Sequence, residues 1–565
     1  MNNCRKNDYP LKRSDLWVRC LLLLLLGVIL VTMAVHLPTE LCPDEGMRSA
    51  IPYWIYNHND LPTGYEAELL DIPYGFSYAS MPLLPALASA LLMKLCSLFS
   101  SSDSAVFLAC RMTSVLSIMG CMTVCFLIGD RIFKKRRSTY LLAIFVCFIP
   151  QVLFVGSYCN SDSVVLFGSF LTLYYLICAT QSRWSFRDCC GLSIALSVVI
   201  LSYYSAYGWI AISVVYCIFR CLKDSPEEKR MAFFLKRLAL VTGLTFLFCG
   251  WFFVRNAVLY NGDLLGISAR SMFTAYRESQ GYAISALNSP EAKGLSPLAM
   301  LNDNWWLYLT IESIFGVLGN MDIFIPEIAL AFYKIVTATG MVIGIPYALI
   351  KGKNKFLTVC LLLTVLTPFC LSFIYSYTVD YQPQGRYVIS CLPAVGVFVV
   401  FGYHAVEEWI LWLCSWIRSK QKLTDSHECR PPVRLQPLLC LLLLLASGYA
   451  FTDTVRGKLF FNPRQEVIYN LQDDKVQLEL DYYTLQEYAS VHTAVWHDAD
   501  QNDLVWWLGT SSPSGDSWRS TKWRILVDLR RYSVPGEYLV HTYGQTAAGE
   551  ETHLYSDTFT ITVDN

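Results

Sequence analysis

Residues 16–45 read LWVRCLLLLLLGVILVTMAVHLPTELCPDE, an apolar run that passes directly into an acidic loop. The run from Leu16 to Leu37 is long enough to cross a bilayer, which takes about 20 apolar residues. It is too long for a signal peptide and a poor cleavage site follows it, so we predict an uncleaved first membrane helix. The adjacent carboxylates of Asp44 and Glu45 then lie at the outer mouth of that helix.

The composition of the whole chain indicates a membrane protein. Of its 565 residues, 54% are hydrophobic and only 16% are charged, which is too apolar for a soluble globular protein and indicates several membrane crossings. The net charge of -1 supplies no basic excess, so nothing points to nucleic acid as a partner. We therefore expect partners in the membrane and at its surface.

About eleven apolar runs of suitable length occur along the chain. They lie near 16–37, 105–130, 138–157, 163–180, 189–205, 207–222, 238–258, 326–350, 356–376, 387–406 and 435–451. Lys and Arg occupy every second loop, which predicts a cytoplasmic N-terminus and an external C-terminus. Residues 81–98 are also apolar, but a crossing there would put the basic residues 134–137 outside. We therefore predict that 81–98, and by the same argument 305–322, form helices of the external loops that lie on the outer face or dip into it.

The last hundred residues change character. From about Gln465 they alternate apolar and polar over short runs separated by turn signals, which predicts a small antiparallel β-sandwich. The predicted parts of the chain are a cytoplasmic N-terminus at 1–15, an α-helical polytopic membrane domain at 16–451 with long external loops at 37–104 and 259–325, a linker at 452–464 and an extracellular all-β domain at 465–565.

The predicted external ends of the helices hold polar side chains that the helix interiors lack. The candidates are Asp44, Glu45, Arg48, Asn160, Asp162, Arg255, Asn256 and Arg386. Carboxylates from two loops suit a general base and oxygen ligands to a divalent cation, while guanidinium groups suit a phosphate. We expect the whole set to converge on one cavity in the outer leaflet.

Structural roles are open for the same residues. The two adjacent acids suit the N-terminus of a short helix that begins near Pro43. Asn160 and Asp162 suit an ordinary polar turn. Arg255 and Arg386 suit interfacial anchors that reach toward lipid head groups.

Five short motifs stand in order along the membrane domain. They are PDE at 43–45, YCNSD at 158–162, WFFVRN at 251–256 followed by YNGD at 260–263, IFGVLG at 314–319 and QGRY at 384–387. Over about residues 16–405 this pattern resembles the C-type (GT-C) superfamily of integral-membrane glycosyltransferases. It is closer to a bacterial family of uncharacterised multi-pass proteins related to the protein mannosyltransferases of that superfamily.

The resemblance implies an inverting transfer of a sugar from a polyprenyl-phosphate donor to a cell-envelope acceptor, at the outer face of a bacterial plasma membrane. The implied roles are catalysis for Asp44 and Glu45, with Asp44 as the base, binding of the donor phosphate for Arg48, Arg255 and Arg386, and binding of acceptor or cation for Asn160, Asp162 and Asn256. A divalent cation is the one cofactor that this set would hold. The sequence departs from the superfamily at Arg48, where a histidine is often found.

The C-terminal domain has a resemblance of its own. The blocks AVWH at 494–497, QNDLVWW at 501–507 and GEYLVHTYG at 536–544 are similar to the GBS Bsp-like repeat of Gram-positive surface proteins. That resemblance implies an extracellular binding or spacing module, for which a cell-wall or envelope polymer is the expected partner.

A second function class stays open at this point, a transporter or flippase of lipid-linked envelope precursors. Its hallmarks would be charged residues at mid-membrane depth or paired broken helices. The sequence offers two charged residues inside apolar runs, Arg111 and Lys334, with no evident partner for either. A surface receptor is a third possibility, although one helix would be enough to anchor it.

Overall fold

The chain folds as two compact units, Met1–Ala450 and Phe451–Asn565. The computed structural model describes residues 13–70, 74–133, 135–282, 289–302, 305–321, 323–420, 434–454, 477–484, 488–497, 501, 503–513, 521–532, 534, 536–547, 549 and 551–561. The predicted linker at 452–464 and the first residues of the predicted β domain lie almost entirely outside these ranges.

The first unit is helical. Its helices are α1 Arg13–His36, α2 Glu45–His58, α3 Leu84–Ser97, α4 Asp103–Ile132, α5 Arg136–Cys147, α6 Pro150–Val155, α7 Asp162–Gln181, α8 Phe186–Ile200, α9 Tyr207–Asp224, α10 Arg230–Leu259, α11 Ala269–Ser279, α12 Pro297–Asn302, α13 Trp306–Phe315, α14 Glu327–Lys351, α15 Lys355–Thr378, α16 Leu392–Lys420 and α17 Leu435–Ala450. A two-stranded hairpin, β1 Val317–Leu318 and β2 Ile323–Phe324, follows α13, and a 3-10 segment, Gly385–Cys391, leads into α16.

Nine helices in the described part of the chain are long and apolar enough to cross a membrane, which confirms the polytopic helical class. The two remaining predicted runs form shorter helices. The run at 138–157 is divided into α5 and α6, because Ile149 precedes Pro150 and takes an extended conformation (φ -61°, ψ 127°), as residues before proline tend to do. The run at 189–205 yields α8, which has only 15 residues.

The two apolar segments that we assigned to the external loops are also short helices. Helix α3 has 14 residues and α13 has 10, and both fall below the roughly 20 residues that a crossing needs. Both are among the shorter apolar helices of the described chain, and their assignment to the external loops stays a prediction.

Helix α16 is the most buried of the nine long helices, and α10 is the least buried. Close backbone approach explains the central position of α16. A Cβ added at Gly344 of α14 would fall within 3.0 Å of the backbone of Phe398, and one at Gly402 would do the same against Gly340. Small residues at such a crossing allow two membrane helices to pack with their backbones in contact.

The second unit consists of two antiparallel sheets. Its strands are β3 Gln477–Thr484, β4 Ser490–Trp496, β5 Val505–Leu508, β6 Thr510–Pro513, β7 Thr521–Asp528, β8 Gly536–Gln545 and β9 Glu551–Ile561. The strand orders are β3-β7-β6 and β5-β4-β8-β9. Val491, Val495, Ile525, Val527 and Val540 from both sheets share one buried core, which confirms the predicted all-β sandwich.

Candidate active site

The acidic motif at the start of α2 separates its two carboxylates. Asp44 precedes α2 with a left-handed backbone (φ 60°, ψ 10°), and its side chain makes no capping hydrogen bond to the helix. A non-glycine residue held in this conformation costs about 1–3 kcal/mol and is often found at functional sites. Asp44 therefore stands at a helix start without acting as its cap, and its carboxylate points elsewhere.

The partner of the Asp44 carboxylate is Arg386, in the 3-10 segment before α16. Arg386 donates from Nη2 to Asp44 Oδ2 at 2.7 Å and from Nη1 to the Pro43 carbonyl at 3.3 Å. Its Nε donates to Gln384 Oε1 at 2.6 Å, which fixes the plane of the guanidinium. The side chain of Arg386 is 3% exposed, whereas that of Asp44 is 33% exposed. Within this ion pair, the carboxylate of Asp44 therefore reaches the surface, while the guanidinium of Arg386 is buried.

A second guanidinium, that of Arg48, lies near the same oxygen of Asp44. Arg48 Nε is 3.9 Å from Asp44 Oδ2, and Arg48 Nη1 donates to Ser161 Oγ at 3.0 Å. The group lies over two aromatic rings, with Cζ 4.6 Å from the centroid of Tyr78 and 5.2 Å from that of Tyr203. Cation–π contacts of this kind hold a desolvated arginine in one orientation.

A third carboxylate, that of Asp162 at the start of α7, completes the cluster. Asp162 is fully buried, and its Oδ2 lies 4.0 Å from Arg386 Nη1. Within the described part of the chain, neither of its oxygens accepts a hydrogen bond. A buried carboxylate in this state is unfavourable unless a donor reaches it, so both Asp162 oxygens retain their capacity to accept a hydrogen bond beside Arg386.

The charges and the burial of the cluster determine which of its groups are ionised at neutral pH. Burial opposes ionisation of Asp44, but the nearby guanidinium groups of Arg386 and Arg48 outweigh it and hold the pKa of Asp44 below its ordinary value. Burial raises the pKa of Tyr203 to about 12, and burial likewise raises the pKa of Tyr78. At neutral pH the site therefore contains an ionised Asp44 beside neutral phenols that can donate hydrogen bonds.

Glu45 lies in a different environment from its neighbour. It is fully buried and accepts from Arg111 Nε at 2.9 Å, from Arg111 Nη2 at 2.5 Å and from the Cys159 backbone at 2.6 Å. Arg111 also donates to the carbonyls of Ala34 and Leu37, at 2.8 Å each. The pair joins the end of α1 to α2 and α4. This geometry favours a positioning role for Glu45 over the predicted catalytic one.

Asn160 caps the first turn of α7. Its Nδ2 donates to the carbonyls of Val155 and Tyr158 at 2.6 and 2.7 Å, and its Oδ1 accepts from the Ser163 backbone at 2.9 Å. All three bonds are local. This matches the polar-turn alternative for Asn160 better than the predicted binding of acceptor or cation.

Arg255 and Asn256 lie at the end of α10 and hold the first external loop. Arg255 donates to the carbonyl of Ala79 at 3.2 Å and also to that of Pro62. Asn256 donates to the carbonyl of Ser80 at 3.0 Å. Among the described residues, no contact joins either side chain to Asp44. The structure thus brings Asp44, Arg48, Asp162 and Arg386 together and leaves Arg255 and Asn256 outside the cluster.

Three tyrosines of the site were not among our candidates, namely Tyr78, Tyr203 and Tyr387. Tyr387 accepts from Arg386 Nη2 at 3.0 Å, and its ring stacks on that of Tyr203 with 6.3 Å between centroids. The chain contains 34 tyrosines, so residue type alone could not single these out. For Tyr387 alone, its position directly after Arg386 in the QGRY motif could have indicated a place in the site.

A divalent cation does not fit this arrangement. In the residues that the structure describes, no group of three or more His, Cys, Asp or Glu side chains is placed to hold a metal ion. The two carboxylates of the cluster, Asp44 and Asp162, each face the guanidinium of Arg386. Positive charges so placed repel a metal cation.

The fold and the site define a multi-pass membrane protein with a buried, charged cluster and a β-sandwich domain. No family model matches the chain, so the likeness of its C-terminal domain to the Bsp-like repeat stays a resemblance. No curated protein matches it either.

Two solved structures show what this chain is similar to. The apo oligosaccharyltransferase of Archaeoglobus fulgidus is 13% identical over 77% of this chain and 55% of its own, with a TM-score of 0.47. ArnT from Cupriavidus metallidurans, bound to undecaprenyl phosphate, is 14% identical over 76% of this chain and 70% of its own, with a TM-score of 0.44. This chain thus spans about half the length of the archaeal protein.

Proposed function

We propose that this protein is a membrane glycosyltransferase that moves a sugar from a polyprenyl-phosphate donor to a cell-envelope acceptor. The observation that carries the proposal is the ion pair between the partly exposed Asp44 and the buried Arg386. It offers an ionised carboxylate for a general base beside a desolvated guanidinium for a phosphate. The resemblance of the motifs around both residues to C-type glycosyltransferases supports the same reading.

Arg386 is the proposed contact for the donor phosphate, with Arg48 beside it. A guanidinium binds phosphate and carboxylate oxygens with the same fork geometry, so an incoming phosphate competes with Asp44 for Arg386. Asp44 then exchanges a positive neighbour for a negative one, and both changes raise its pKa. Donor binding would therefore convert Asp44 from a weak base into a stronger one.

In the proposed reaction, Asp44 removes the proton from the attacking group of the acceptor. That group forms a bond to the anomeric carbon from the face opposite the phosphate, and the carbon–oxygen bond to the phosphate breaks. The electron pair leaves with the polyprenyl phosphate, whose charge Arg386 and Arg48 stabilise. The configuration at the anomeric carbon is inverted. The free oxygens of Asp162 would accept hydrogen bonds from hydroxyl groups of the sugar or the acceptor.

We further propose that the reaction occurs at the outer face of a bacterial plasma membrane. The distribution of Lys and Arg supports this orientation, with the N-terminus in the cytoplasm and the β-sandwich outside. The expected partners are the lipid-linked donor, the surrounding lipids and an envelope polymer held by the β-sandwich.

The main sequence argument for a transporter was that Arg111 and Lys334 had no evident charge partner, and both have one in the structure. Arg111 pairs with Glu45, and Lys334 Nζ lies 2.5 Å from Glu312 Oε1. Both charges inside the apolar runs thus have partners from external loops or the helices beside them. Pairing accounts for both charges without a transported substrate, because charges inside a membrane are costly unless they are paired.

The test of the proposed function is transfer from a panel of radiolabelled polyprenyl-phosphate sugars. Membranes would contain the wild type, Asp44→Asn, or Glu68→Gln, an exposed acid of the same loop that serves as the matched control. We expect label to be incorporated by the wild type and Glu68→Gln. Asp44→Asn should be slower by about 100-fold or more, the usual contribution of a general base.

Two results would contradict the proposal. Equal rates for Asp44→Asn and the wild type would remove Asp44 from the mechanism. No transfer from any donor, with folded and correctly oriented wild-type protein, would favour the transporter class, which a flipping assay with a fluorescent lipid-linked precursor would then test.

A further inference from the structure

A cavity of about 550 Å³ lies between the helices, and none of the Asp44 cluster residues is among its lining residues in the described part of the chain. Among the described residues, four cationic side chains line it, those of Arg131, Arg220, Lys351 and Lys353, and none of the lining residues so described is Asp or Glu. It is therefore a basic cavity that the proposed reaction does not use.

The length of α7 places this cavity at the opposite membrane surface from the cluster. Asp162 at the first residue of α7 belongs to the Asp44 cluster, and Gln181 at the last residue lines the basic cavity. A helix rises about 1.5 Å per residue, so these 20 residues span roughly 30 Å, the thickness of a bilayer core. With the orientation predicted above, the basic cavity faces the cytoplasmic leaflet.

The four cations are only partly neutralised. Arg220 pairs with Asp224 at 3.1 Å, while Arg131 donates to the neutral oxygens of Gln181 and Tyr174 at 3.0 and 3.4 Å. Lys351 and Lys353 are exposed and have no ion-pair partner among the described residues. The cavity thus carries an excess of positive charge that an anion would offset.

One wall of the cavity is held rigid by hydrogen bonds between three helices. Asn354 Nδ2 donates to the Tyr216 hydroxyl at 2.7 Å, and Thr180 Oγ1 lies 2.8 Å from the same hydroxyl. Asn354 Oδ1 also accepts from the Leu357 backbone at 3.1 Å at the start of α15. These bonds join α7, α9 and α15, so the polar wall is formed before any ligand arrives.

The inner part of the same cavity is apolar, with Leu361, Val397 and Phe401 among its lining residues. A small soluble anion would leave this surface without contacts. A lipid would fill both parts, with its phosphate at the cations and its first alkyl carbons against the apolar wall.

From this combination we infer that the cavity binds the phosphate head group of an anionic lipid. Two lipids share the required chemistry, a phosphodiester such as phosphatidylglycerol and a phosphomonoester such as undecaprenyl phosphate. The inference concerns the surface opposite Asp44 and does not depend on glycosyl transfer.

The test uses the full-length protein, purified in a neutral detergent and freed of lipid. Thermal stabilisation is measured against increasing phosphatidylglycerol, undecaprenyl phosphate or phosphatidylcholine, and native mass spectrometry counts the retained lipid. The test variant is Lys351→Gln/Lys353→Gln. The matched control is Lys223→Gln/Lys229→Gln, which removes two exposed lysines of the same predicted face that do not line the cavity.

We expect phosphatidylglycerol, undecaprenyl phosphate or both to stabilise the wild type and the control. Each basic residue near a lipid surface contributes roughly a fivefold gain in affinity, so the test variant should bind on the order of 30-fold more weakly. Whichever lipid binds more tightly is identified as the occupant. Unchanged affinity in the test variant, or equal binding of phosphatidylcholine, would overturn the inference. Because the assay measures no transfer, its failure is distinct from failure of the proposed function.

Discussion

Arg386 and Asp44 are 342 positions apart in the chain, and their side chains meet at 2.7 Å. The two side chains differ in burial and in how firmly other residues hold them. Arg386 is buried just before the central helix α16 and bound to Gln384, whereas a third of the Asp44 side chain is exposed. A ligand can therefore displace Asp44 from Arg386 while the guanidinium stays in place.

The first prediction concerns the pH dependence of stability. Because Arg386 and Arg48 lower the pKa of Asp44 in the folded protein, the stabilisation from ionised Asp44 is present above the unfolded-state pKa, which is about 3.9. It is lost as the pH falls through the lower folded-state value. We expect the melting temperature of the wild type to fall more steeply between about pH 5 and pH 3 than that of Asp44→Asn. Parallel curves for the two proteins would contradict this.

The second prediction separates Glu45 from Asp44. Glu45→Gln leaves the buried guanidinium of Arg111 without its charge partner, which should destabilise the protein by about 3–5 kcal/mol. Asp44→Asn should change stability less, because the Asp162 carboxylate stays 4.0 Å from the buried Arg386 guanidinium and Asp44 itself is 33% exposed. Unfolding in denaturant measures both. The double variant Glu45→Leu/Arg111→Met should recover most of the loss, and a double variant as unstable as Glu45→Gln would argue against a structural pair.

The third prediction tests the role of Arg255. In the structure it binds backbone carbonyls of the first external loop, so Arg255→Ala should increase proteolysis within residues 61–80 and change the KM for the donor less than about threefold. A phosphate contact would raise that KM by about tenfold or more, since a charge-assisted hydrogen bond contributes 1.5–3 kcal/mol. Arg255→Lys keeps the charge but not the fork, and it should be cleaved as readily as Arg255→Ala if the loop contacts are what matter.

The fourth prediction concerns Gly385, the residue before Arg386. A Cβ at Gly385 would fall within 3.0 Å of backbone atoms of Ser313 and Ile314, so Gly385→Ala should displace the 3-10 segment and Arg386 with it. We expect transfer to fall by about 100-fold, because small misplacements of catalytic groups have effects of that size. Gly243→Ala is the control, since nothing lies within 4 Å of a Cβ there. Loss of activity in the control as well would point to general damage.

The helices and strands could largely be predicted from the sequence. Apolar runs of bilayer length became the long helices, and period-two alternation became β4, β7 and β8, because burial of apolar side chains follows the period of the element. The interruption of the helix before Pro150 shows where the length of an apolar run fails to predict a single helix. A run of apolar residues indicates hydrophobicity only. The restricted backbone of Ile149 before Pro150 separates α5 from α6, although Pro346 and Pro368 lie inside α14 and α15.

The candidate site could be predicted only in part. Asp44, Arg48, Asp162 and Arg386 were chosen because charged residues beside membrane helices are costly unless they serve a purpose. The same argument also selected Arg255 and Asn256, which bind the loop backbone instead. Arg255 matches Arg48 and Arg386 in residue type and in predicted sidedness, so nothing local distinguishes it from them.

The sequence by itself determined that this is a polytopic helical membrane protein with a separate β domain, and which loops carry acidic and basic side chains. Those properties follow from hydrophobicity and periodicity, which are sums over neighbouring residues. Only the tertiary structure decided that Asp44 pairs with Arg386 and Glu45 with Arg111. Two adjacent carboxylates are chemically alike, and their difference arises from the direction in which α2 begins and from the helices that pack against it.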